Sequence, residues 1–263
     1  MQLRALVDGF GPLAVRGSLD VAIDGVAMDS RQVRPGDVFV ALAGLTTDGR
    51  RHVGDAVSRG ARAIIADAPV EVSGDVTVIH TAGARRLLGL VASRLAGEPS
   101  HAMTVVGITG TNGKTTTTYL LEGIWRAAGH ATGVIGTIAY RIGDVERPAP
   151  FTTPEAPMLQ ALLADMRTAG TTHVAMEVSS HALEQGRADA IRFAAAVFTN
   201  LTRDHLDFHG DLERYYAAKA RLFTELLPSG GTADPVSIVN VDDAAGRRLA
   251  ASVPGRCVTV GRA

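Results

Sequence analysis

The sequence predicts an α/β fold, with a small N-terminal α/β domain followed by a mostly parallel sheet domain of the P-loop type. Three observations support this. Short apolar runs typical of buried strands alternate with amphipathic helical stretches. One apolar run leads into a glycine-rich turn that contains a lysine, at residues 110–116. A Gly/Pro/Ser cluster at residues 97–101 separates two blocks, which predicts domains at residues 1–98 and 99–263.

In the first domain, β-like runs surround helical stretches. We expect strands at residues 38–42, 63–66 and 76–79, and helices at residues 52–59 and 83–95. The second helix carries leucine and valine on one stripe, which is typical of a helix that packs on a sheet.

In the second domain, a buried strand at residues 103–108 precedes the glycine-rich turn and a helix that begins near Thr116. Thr153 is expected to cap a later helix, with Pro154 in its first position. The remaining expected elements are strands at 131–138, 172–178, 193–200, 236–241 and 257–260, and helices at 154–169, 212–227 and 242–251. This alternation predicts a parallel sheet covered by helices, and the sequence stops where such a domain normally continues.

The composition limits the class of protein. Of 263 residues, 46% are hydrophobic and 20% charged, as in ordinary globular proteins. The formal net charge of −1 argues against a nucleic-acid partner. The lone Cys257 excludes an internal disulfide, and no apolar run is long enough to span a bilayer. With no signal-peptide pattern at the N-terminus, we expect a cytoplasmic protein.

The segment at residues 105–118 carries the most specific signal. An apolar run, a glycine-rich turn and a helix start are the parts of a phosphate-binding loop. Lys114 is expected to reach the outer phosphates, and the Thr115 hydroxyl to ligate Mg²⁺. The spacing departs from the strict P-loop pattern because Ile108 stands where its first glycine belongs. A helix-capping glycine turn with an incidental lysine is the alternative.

Polar residues follow two of the predicted strands. Glu177 ends one of them and is expected to serve Mg²⁺, because ligands in parallel sheets bind at the carboxyl ends of strands. The alternative for Glu177 is a helix cap or a surface ion pair. His205 lies in the loop at residues 199–210, where we expect it to contact a metal ion. For His209 we expect a hydrogen bond that orders this loop.

Lys219 lies in the middle of the apolar stripe of the helix predicted at residues 212–227. A buried lysine becomes neutral and nucleophilic, and it can capture CO₂ as an anionic carbamate. A lysine whose ammonium reaches solvent at the edge of the stripe is the ordinary alternative, and spacing alone favours it.

Further polar clusters suit an extended anionic substrate. Thr152 and Thr153 lie at a predicted helix start, and Gln185 and Arg187 follow the strand of Glu177. The polar loops at residues 29–31 and 45–49 of the first domain are, taken alone, ordinary turns.

Several motifs together resemble the Mur ligase family. They are Gly-Thr-Asn-Gly-Lys-Thr-Thr at 110–116, Glu-Val-Ser-Ser-His at 177–181, Asn-Leu-Thr-Arg-Asp-His-Leu-Asp-Phe-His-Gly at 200–210 and the helix around Lys219. The motifs Asp-Ser-Arg at 29–31 and Thr-Thr-Pro-Glu at 152–155 are similar to those of the members that add the third amino acid to the peptidoglycan precursor. The resemblance covers essentially the whole chain.

The resemblance implies a role for each matching residue. ATP would be bound by Gly110, Thr111, Asn112, Gly113, Lys114, Thr115 and Thr116. Mg²⁺ would be held by Thr115 and Glu177, and a second ion by Glu177, His205 and a carbamate on Lys219. The precursor UDP-MurNAc-L-Ala-D-Glu would be bound by Ser30, Thr46 and Thr47 at its UDP end and by Thr152, Thr153, Ser179, Gln185 and Arg187 at its dipeptide end.

The implied activity is an ATP-dependent, ADP-forming amide ligation through an acyl phosphate, with Lys114, Glu177, His205 and Lys219 at its centre. Members of the family have a third, C-terminal domain that binds the incoming amino acid. We therefore expect this chain to bind ligands without turning over alone, as a monomer. The incoming diamino acid, meso-diaminopimelate or lysine, is not determined, although composition favours the former. A non-catalytic nucleotide- or UDP-sugar-binding module and a sibling ligase, such as a folylpolyglutamate synthase, remain the alternatives.

Overall fold

The computed structural model describes residues 1–44 and 47–262. The chain forms two compact units, Met1–Glu98 and Pro99–Ala263, and each unit contains its own sheet. Among the described helices, none has both the length and the apolar character required to cross a membrane.

The described part of the first unit contains a five-stranded sheet. Its strands lie in the order β1-β5-β4-β3-β2, with β2 to β5 parallel and β1 antiparallel to β5. Strand β3 is buried throughout, as expected for a parallel strand covered on both faces. The elements are α1 (Leu3–Val7), β1 (Ala14–Arg16), β2 (Gly25–Ala27), β3 (Asp37–Ala41), α2 (Val53–Ser58), β4 (Ala63–Ala66), β5 (Thr77–His80) and α3 (Ala84–Leu95).

The second unit is built on a larger sheet. Its first elements are β6 (Thr104–Thr109), α4 (Lys114–Ala127), β7 (Thr132–Ile135), β8 (Ala139–Ile142), β9 (Val145–Pro148), α5 (Ala156–Thr168), β10 (His173–Glu177), α6 (Ser180–Glu184) and β11 (Ala195–Phe198). They are followed by α7 (Leu206–His209), α8 (Leu212–Arg221), a π-helical turn (Leu222–Leu226), α9 (Leu227–Ser229), β12 (Val236–Asn240), α10 (Ala244–Ser252) and β13 (Arg256–Val260).

The topology of this sheet places a crevice at the carboxyl end of β6. The described strands lie in the order β13-β12-β11-β6-β10-β7-β8-β9, and those from β13 to β7 are parallel. Strand β6 thus lies between β10 and β11, neither of which follows it directly in the chain. In open parallel sheets, ligands bind where the strand order reverses in this way.

The predicted α/β class and parallel sheet are confirmed, but two helix starts differ from the prediction. Helix α4 begins at Lys114 rather than near Thr116, because Gly113 at φ +84° turns the chain directly into the helix. Helix α5 begins at Ala156 with Glu155 as its N-cap, so the prediction that Thr153 caps it is wrong. Thr153 is buried instead, and its hydroxyl donates to the carbonyl oxygen of Glu177 at 2.8 Å.

Two further predictions are corrected. The strand expected at residues 131–138 ends at Ile135, and an antiparallel hairpin of β8 and β9 follows it. The helix expected at residues 212–227 changes to a π-helical turn at Leu222, which alters the spacing of its faces. Leu212, which the pattern placed on the buried stripe, is 47% exposed.

Candidate functional site

A polar cavity of about 300 Å³ lies in the second unit, around the carboxyl ends of the central strands. The predicted site residues that line it are Thr111, Asn112, Gly113, Lys114, Thr115, Thr152, Glu177, Ser179, His205 and Lys219. Residues far apart in the sequence therefore meet at one place. Thr137 and Ser180 also line the cavity and were missed by the sequence analysis.

The backbone of the glycine-rich loop adopts positive φ angles that favour glycine at two positions. Gly110 has φ +143°, and a Cβ atom there would lie 1.9 Å from the Thr199 hydroxyl oxygen. Gly113 has φ +84°, in the left-handed region. Between them the chain reverses into α4, whose first N–H groups have no partner inside the helix. Together with the helix dipole, these groups give the loop a geometry that suits an anion.

Lys114 is the first residue of α4. Its ammonium donates hydrogen bonds to the carbonyl oxygens of Gly110 and Thr111, each at 2.9 Å. Burial lowers the pKa of this lysine, and the negative charges of Glu177 and Asp204 oppose that effect. Thr116 is exposed in the first turn of the helix and is not among the residues that line the cavity.

Glu177 is the only carboxylate among the residues lining this cavity within the described part of the chain, and it is 1% exposed. One of its oxygens accepts hydrogen bonds from the Thr115 hydroxyl at 2.9 Å and from the Thr137 N–H at 3.0 Å. The other accepts from the Thr137 hydroxyl at 3.2 Å. Thr137 follows β7, which is parallel to its neighbour β10. Its position just after a parallel strand is the feature of the sequence from which its place in the site could have been predicted.

Lys219 is also buried, with 1% of its surface exposed, so the alternative of a lysine reaching solvent is wrong. Its ammonium donates to the carbonyl oxygen of Gly110 at 2.9 Å and lies 4.5 Å from the centre of the Tyr215 ring. Burial, and then the charge of Lys114, lower the pKa of Lys219 to about 7. A large fraction of this lysine is therefore a neutral amine near physiological pH.

His205 stands at the rim of the cavity, at φ +51° and with its side chain 46% exposed. Its ring packs edge-on against His181, with centroids 4.8 Å apart. Burial, and then the neighbouring His205 and His209, lower the pKa of His181. His209 is buried and forms a 3.0 Å hydrogen bond with the Ser180 hydroxyl, which is the loop-ordering contact expected of it.

A metal ion at this site would be bound through oxygen atoms. Within the described residues, no group of three or more His, Cys, Asp and Glu side chains is arranged to hold a metal ion. The Glu177 carboxylate and the adjacent Thr115 hydroxyl are hard oxygen donors of the kind that Mg²⁺ prefers, and they leave room for water and phosphate ligands. These two residues fit Mg²⁺ better than a transition metal.

The residues predicted to bind the dipeptide end lie near the same cavity, but some of them already use their polar groups within the protein. The Thr152 hydroxyl is 3.0 Å from that of Thr137, and Ser179 caps α6. Arg187 donates to the carbonyl oxygen of Thr153 at 3.0 Å and pairs with Glu155 at 2.9 Å. Gln185 accepts a further hydrogen bond from Arg187. The geometry therefore shows Arg187 organising this segment, whatever else it binds.

The first unit has a cavity of about 550 Å³, and both Ser30 and Thr47 line it. Ser30 is buried in a short helical turn that Asp29 caps by accepting from the Arg31 N–H at 3.0 Å. His52 and Arg85 also contribute to the lining. Thr46, predicted with Ser30 and Thr47, lies outside the described residues.

Comparison with known proteins gives matches over nearly the whole chain. Residues 108–262 match the Mur ligase middle domain, and residues 22–97 match the Mur ligase family catalytic domain. The UDP-N-acetylmuramoyl-L-alanyl-D-glutamate–2,6-diaminopimelate ligase of Geobacter metallireducens is 47% identical over 262 residues, which are 99% of this chain and 51% of that protein. The ligase of the same name from Xylella fastidiosa strain 9a5c is 48% identical over 234 residues, 88% of this chain and 46% of that one.

A solved structure of a ligase with this name superposes with a TM-score of 0.85 at 30% identity. The superposition covers 99% of this chain and 52% of the other. The chain thus spans about half the length of the curated relatives it matches.

Proposed function

Since the chain belongs to the Mur ligase family, we propose that it carries the precursor-binding and ATP-binding parts of an ATP-dependent, ADP-forming acid–amino-acid ligase. The acceptor in this proposal is UDP-MurNAc-L-Ala-D-Glu, and the incoming amino acid is meso-diaminopimelate. The names of the relatives support this choice, since they specify both the UDP-linked dipeptide and 2,6-diaminopimelate. The chain spans about half the length of those proteins, so the ligation reaction itself is proposed for the whole ligase rather than for this chain alone.

One observation carries the proposal: a glycine-rich loop with its lysine and a buried carboxylate share a single cavity. Lys114 would leave the carbonyls of Gly110 and Thr111 and pair with the outer phosphates of ATP. The N–H groups at the start of α4 would bind the same phosphates from the other side. This assigns ATP to the second unit and the UDP end of the precursor to the cavity with Ser30 and Thr47 in the first.

Magnesium would be held by Thr115 and Glu177. When bound, the ion would supply positive charge that screens the triphosphate from the incoming carboxylate. Glu177 suits this role because its buried carboxylate is already oriented by Thr115 and Thr137. His205 at the rim would contribute to a second ion, together with a modified Lys219.

Lys219 would carry a carbamate in this proposal. Its neutral amine would attack CO₂, forming an N–C bond and releasing one proton, so that a cation becomes an anionic oxygen ligand. The pKa of about 7 supports this step, because the neutral form is available without strong base. In the unmodified chain both lysines donate to the Gly110 carbonyl oxygen. Once Lys219 carried a carbamate, the positive Lys114 and the negative carbamate would form an ion pair.

The chemistry would proceed by attack of the D-glutamate γ-carboxylate on the γ-phosphorus of ATP, with ADP leaving and an acyl phosphate forming. The amine of the diamino acid would then attack the acyl carbon, expelling phosphate and losing a proton to give the amide. Lys114 would stabilise the charge that develops on the transferred phosphoryl group. Thr152 and Ser179 would hold the dipeptide end beside it.

A cytoplasmic location and a monomeric state are part of the same proposal.

Calorimetry with MgADP and MgATP tests the nucleotide-binding part of the proposal. We expect saturable binding to the chain and a loss of at least about tenfold in affinity for Lys114→Ala, because a charge-assisted contact is removed. Arg147→Ala, on the exposed hairpin, is the matched control and should bind like the unaltered chain. Equal binding by Lys114→Ala, or none by the unaltered folded chain, would contradict the proposal.

A further inference from the structure

The glycine-rich loop is attached to the loop that follows β11 by a pair of hydrogen bonds from one side chain. The Asn200 amide oxygen accepts from the Asn112 N–H at 3.0 Å. The Asn200 amide nitrogen donates to the carbonyl oxygen of the same Asn112, also at 3.0 Å. Only one orientation of the amide satisfies both contacts, so Asn200 binds Asn112 as a neighbouring strand would.

Neighbouring residues complete this attachment. The Thr111 N–H donates to the backbone oxygen of Asn200 at 2.9 Å, and the Thr199 hydroxyl donates to the Asn112 oxygen at 2.7 Å. The Thr111 hydroxyl accepts from the Thr202 N–H at 3.0 Å. The loop therefore has little freedom at Thr111 and Asn112, the two residues before Gly113.

This attachment determines which backbone groups remain for an anion. The N–H groups of Thr111 and Asn112 are both used toward the β11 loop. The next N–H groups, at the start of α4, have no partner inside the helix and lie beside the cavity that Gly113, Lys114 and Thr115 line. Without the Asn200 amide, the Asn112 N–H loses its partner and the Asn112 oxygen keeps, among the described residues, only the Thr199 hydroxyl, so the direction of the following N–H groups is less firmly fixed.

We propose that Asn200 is a positioning residue for nucleotide binding, which acts by locking the Asn112 peptide so that the N–H groups after it converge on the phosphates. This inference rests on the proposed function, since it assumes that the loop binds a nucleotide. Asn200 does not line the cavity among the described residues, so its effect passes through the loop backbone.

The test compares MgADP affinity of the full chain with that of Asn200→Asp and Asn200→Ala, by calorimetry at pH 8. Asn200→Asp keeps the shape and the acceptor but replaces the donor with a carboxylate oxygen that faces the Asn112 carbonyl. We expect affinity to fall about tenfold or more at pH 8 in both variants, since net hydrogen bonds are lost. The carboxylate stays ionised well above the usual aspartate pKa of about 3.9 and repels the Asn112 carbonyl oxygen, so Asn200→Asp should bind MgADP no better than Asn200→Ala although it keeps the acceptor.

Asn240→Asp is the matched control, because Asn240 ends the next strand and donates to the Thr199 oxygen without touching the glycine-rich loop. Its MgADP affinity should stay within about twofold of the unaltered chain, well below the tenfold effect of losing a loop contact. A thermal unfolding curve for each variant shows whether that variant is still folded. Folded Asn200 variants that bind MgADP like the unaltered chain would overturn the positioning role of Asn200. Absence of binding by the unaltered chain would instead refute the proposed function itself, and the lock with it.

Discussion

Lys114 and Lys219 donate hydrogen bonds to the same acceptor, the carbonyl oxygen of Gly110, each at 2.9 Å. They are the two lysines of a sequence that otherwise uses arginine for its basic residues. One comes from the start of α4 and the other from α8, 105 positions later in the numbering. Because an arginine cannot become neutral near pH 7, an arginine at position 219 could not relieve the repulsion between the two side chains as Lys219 can.

Lys219 should make stability depend on pH. Its folded-state pKa of about 7 lies below the ordinary lysine value of 10.5, so the unfolded chain binds more protons between these values. Its contribution to the free energy of unfolding therefore rises with pH through this window, by up to about 1.4 kcal/mol per unit. Urea denaturation in CO₂-free buffer at pH 6.5 to 9.5 should show this rise relative to Lys219→Met. Parallel curves for the two proteins would contradict it.

Gly110→Ala should destabilise the fold by about 1–3 kcal/mol, because the added methyl group overlaps the Thr199 hydroxyl in a region of φ that favours glycine. Gly123→Ala, in the open middle of α4, is the control and should stabilise the helix by about 0.5–1 kcal/mol. Urea midpoints of the two variants measure the difference. Equal effects would mean that the loop relaxes around the new side chain.

Glu177→Gln should remove the dependence of nucleotide affinity on magnesium. The amide preserves the shape of the side chain but lacks the charge that a divalent ion requires. ADP titrations with and without Mg²⁺ should differ about tenfold or more in the unaltered chain, the equivalent of about 1.4 kcal/mol, and little in the variant. Glu184→Gln, at an exposed position of α6, should behave like the unaltered chain. A retained magnesium effect in Glu177→Gln would place the ion elsewhere.

Arg141→Met should cost about 3 kcal/mol of unfolding free energy. Arg141 on β8 pairs at 2.8 Å with Glu122 of α4, which is 2% exposed, and its removal leaves a buried carboxylate poorly paired. Arg147→Met breaks a more exposed pair with Asp165 and should cost under about 1 kcal/mol. Chemical denaturation compares the two. Similar losses would show that Glu122 finds another partner.

The sequence was a good guide to local features with a strong chemical signature. The glycine-rich turn, the strand that ends at Glu177 and the alternation of strands and helices all appear in the structure close to their expected positions. Thr153 and Pro154 were misleading, because a threonine–proline pair resembles a helix start, whereas here the threonine hydroxyl is used by the Glu177 carbonyl. The β8–β9 hairpin was missed because its strands are four residues long and carry charged side chains.

By itself, the sequence determined the type of sheet, the position of the glycine-rich loop and the identity of the chemical groups, because these depend on composition and on short-range spacing. Tertiary structure alone decided that Lys219 is buried beside Lys114, that Thr137 orients Glu177, and that Asn200 holds Asn112. Such contacts join residues between 40 and 109 positions apart. These contacts form only because particular strands become neighbours in the sheet. The burial that results then lowers the pKa of Lys219.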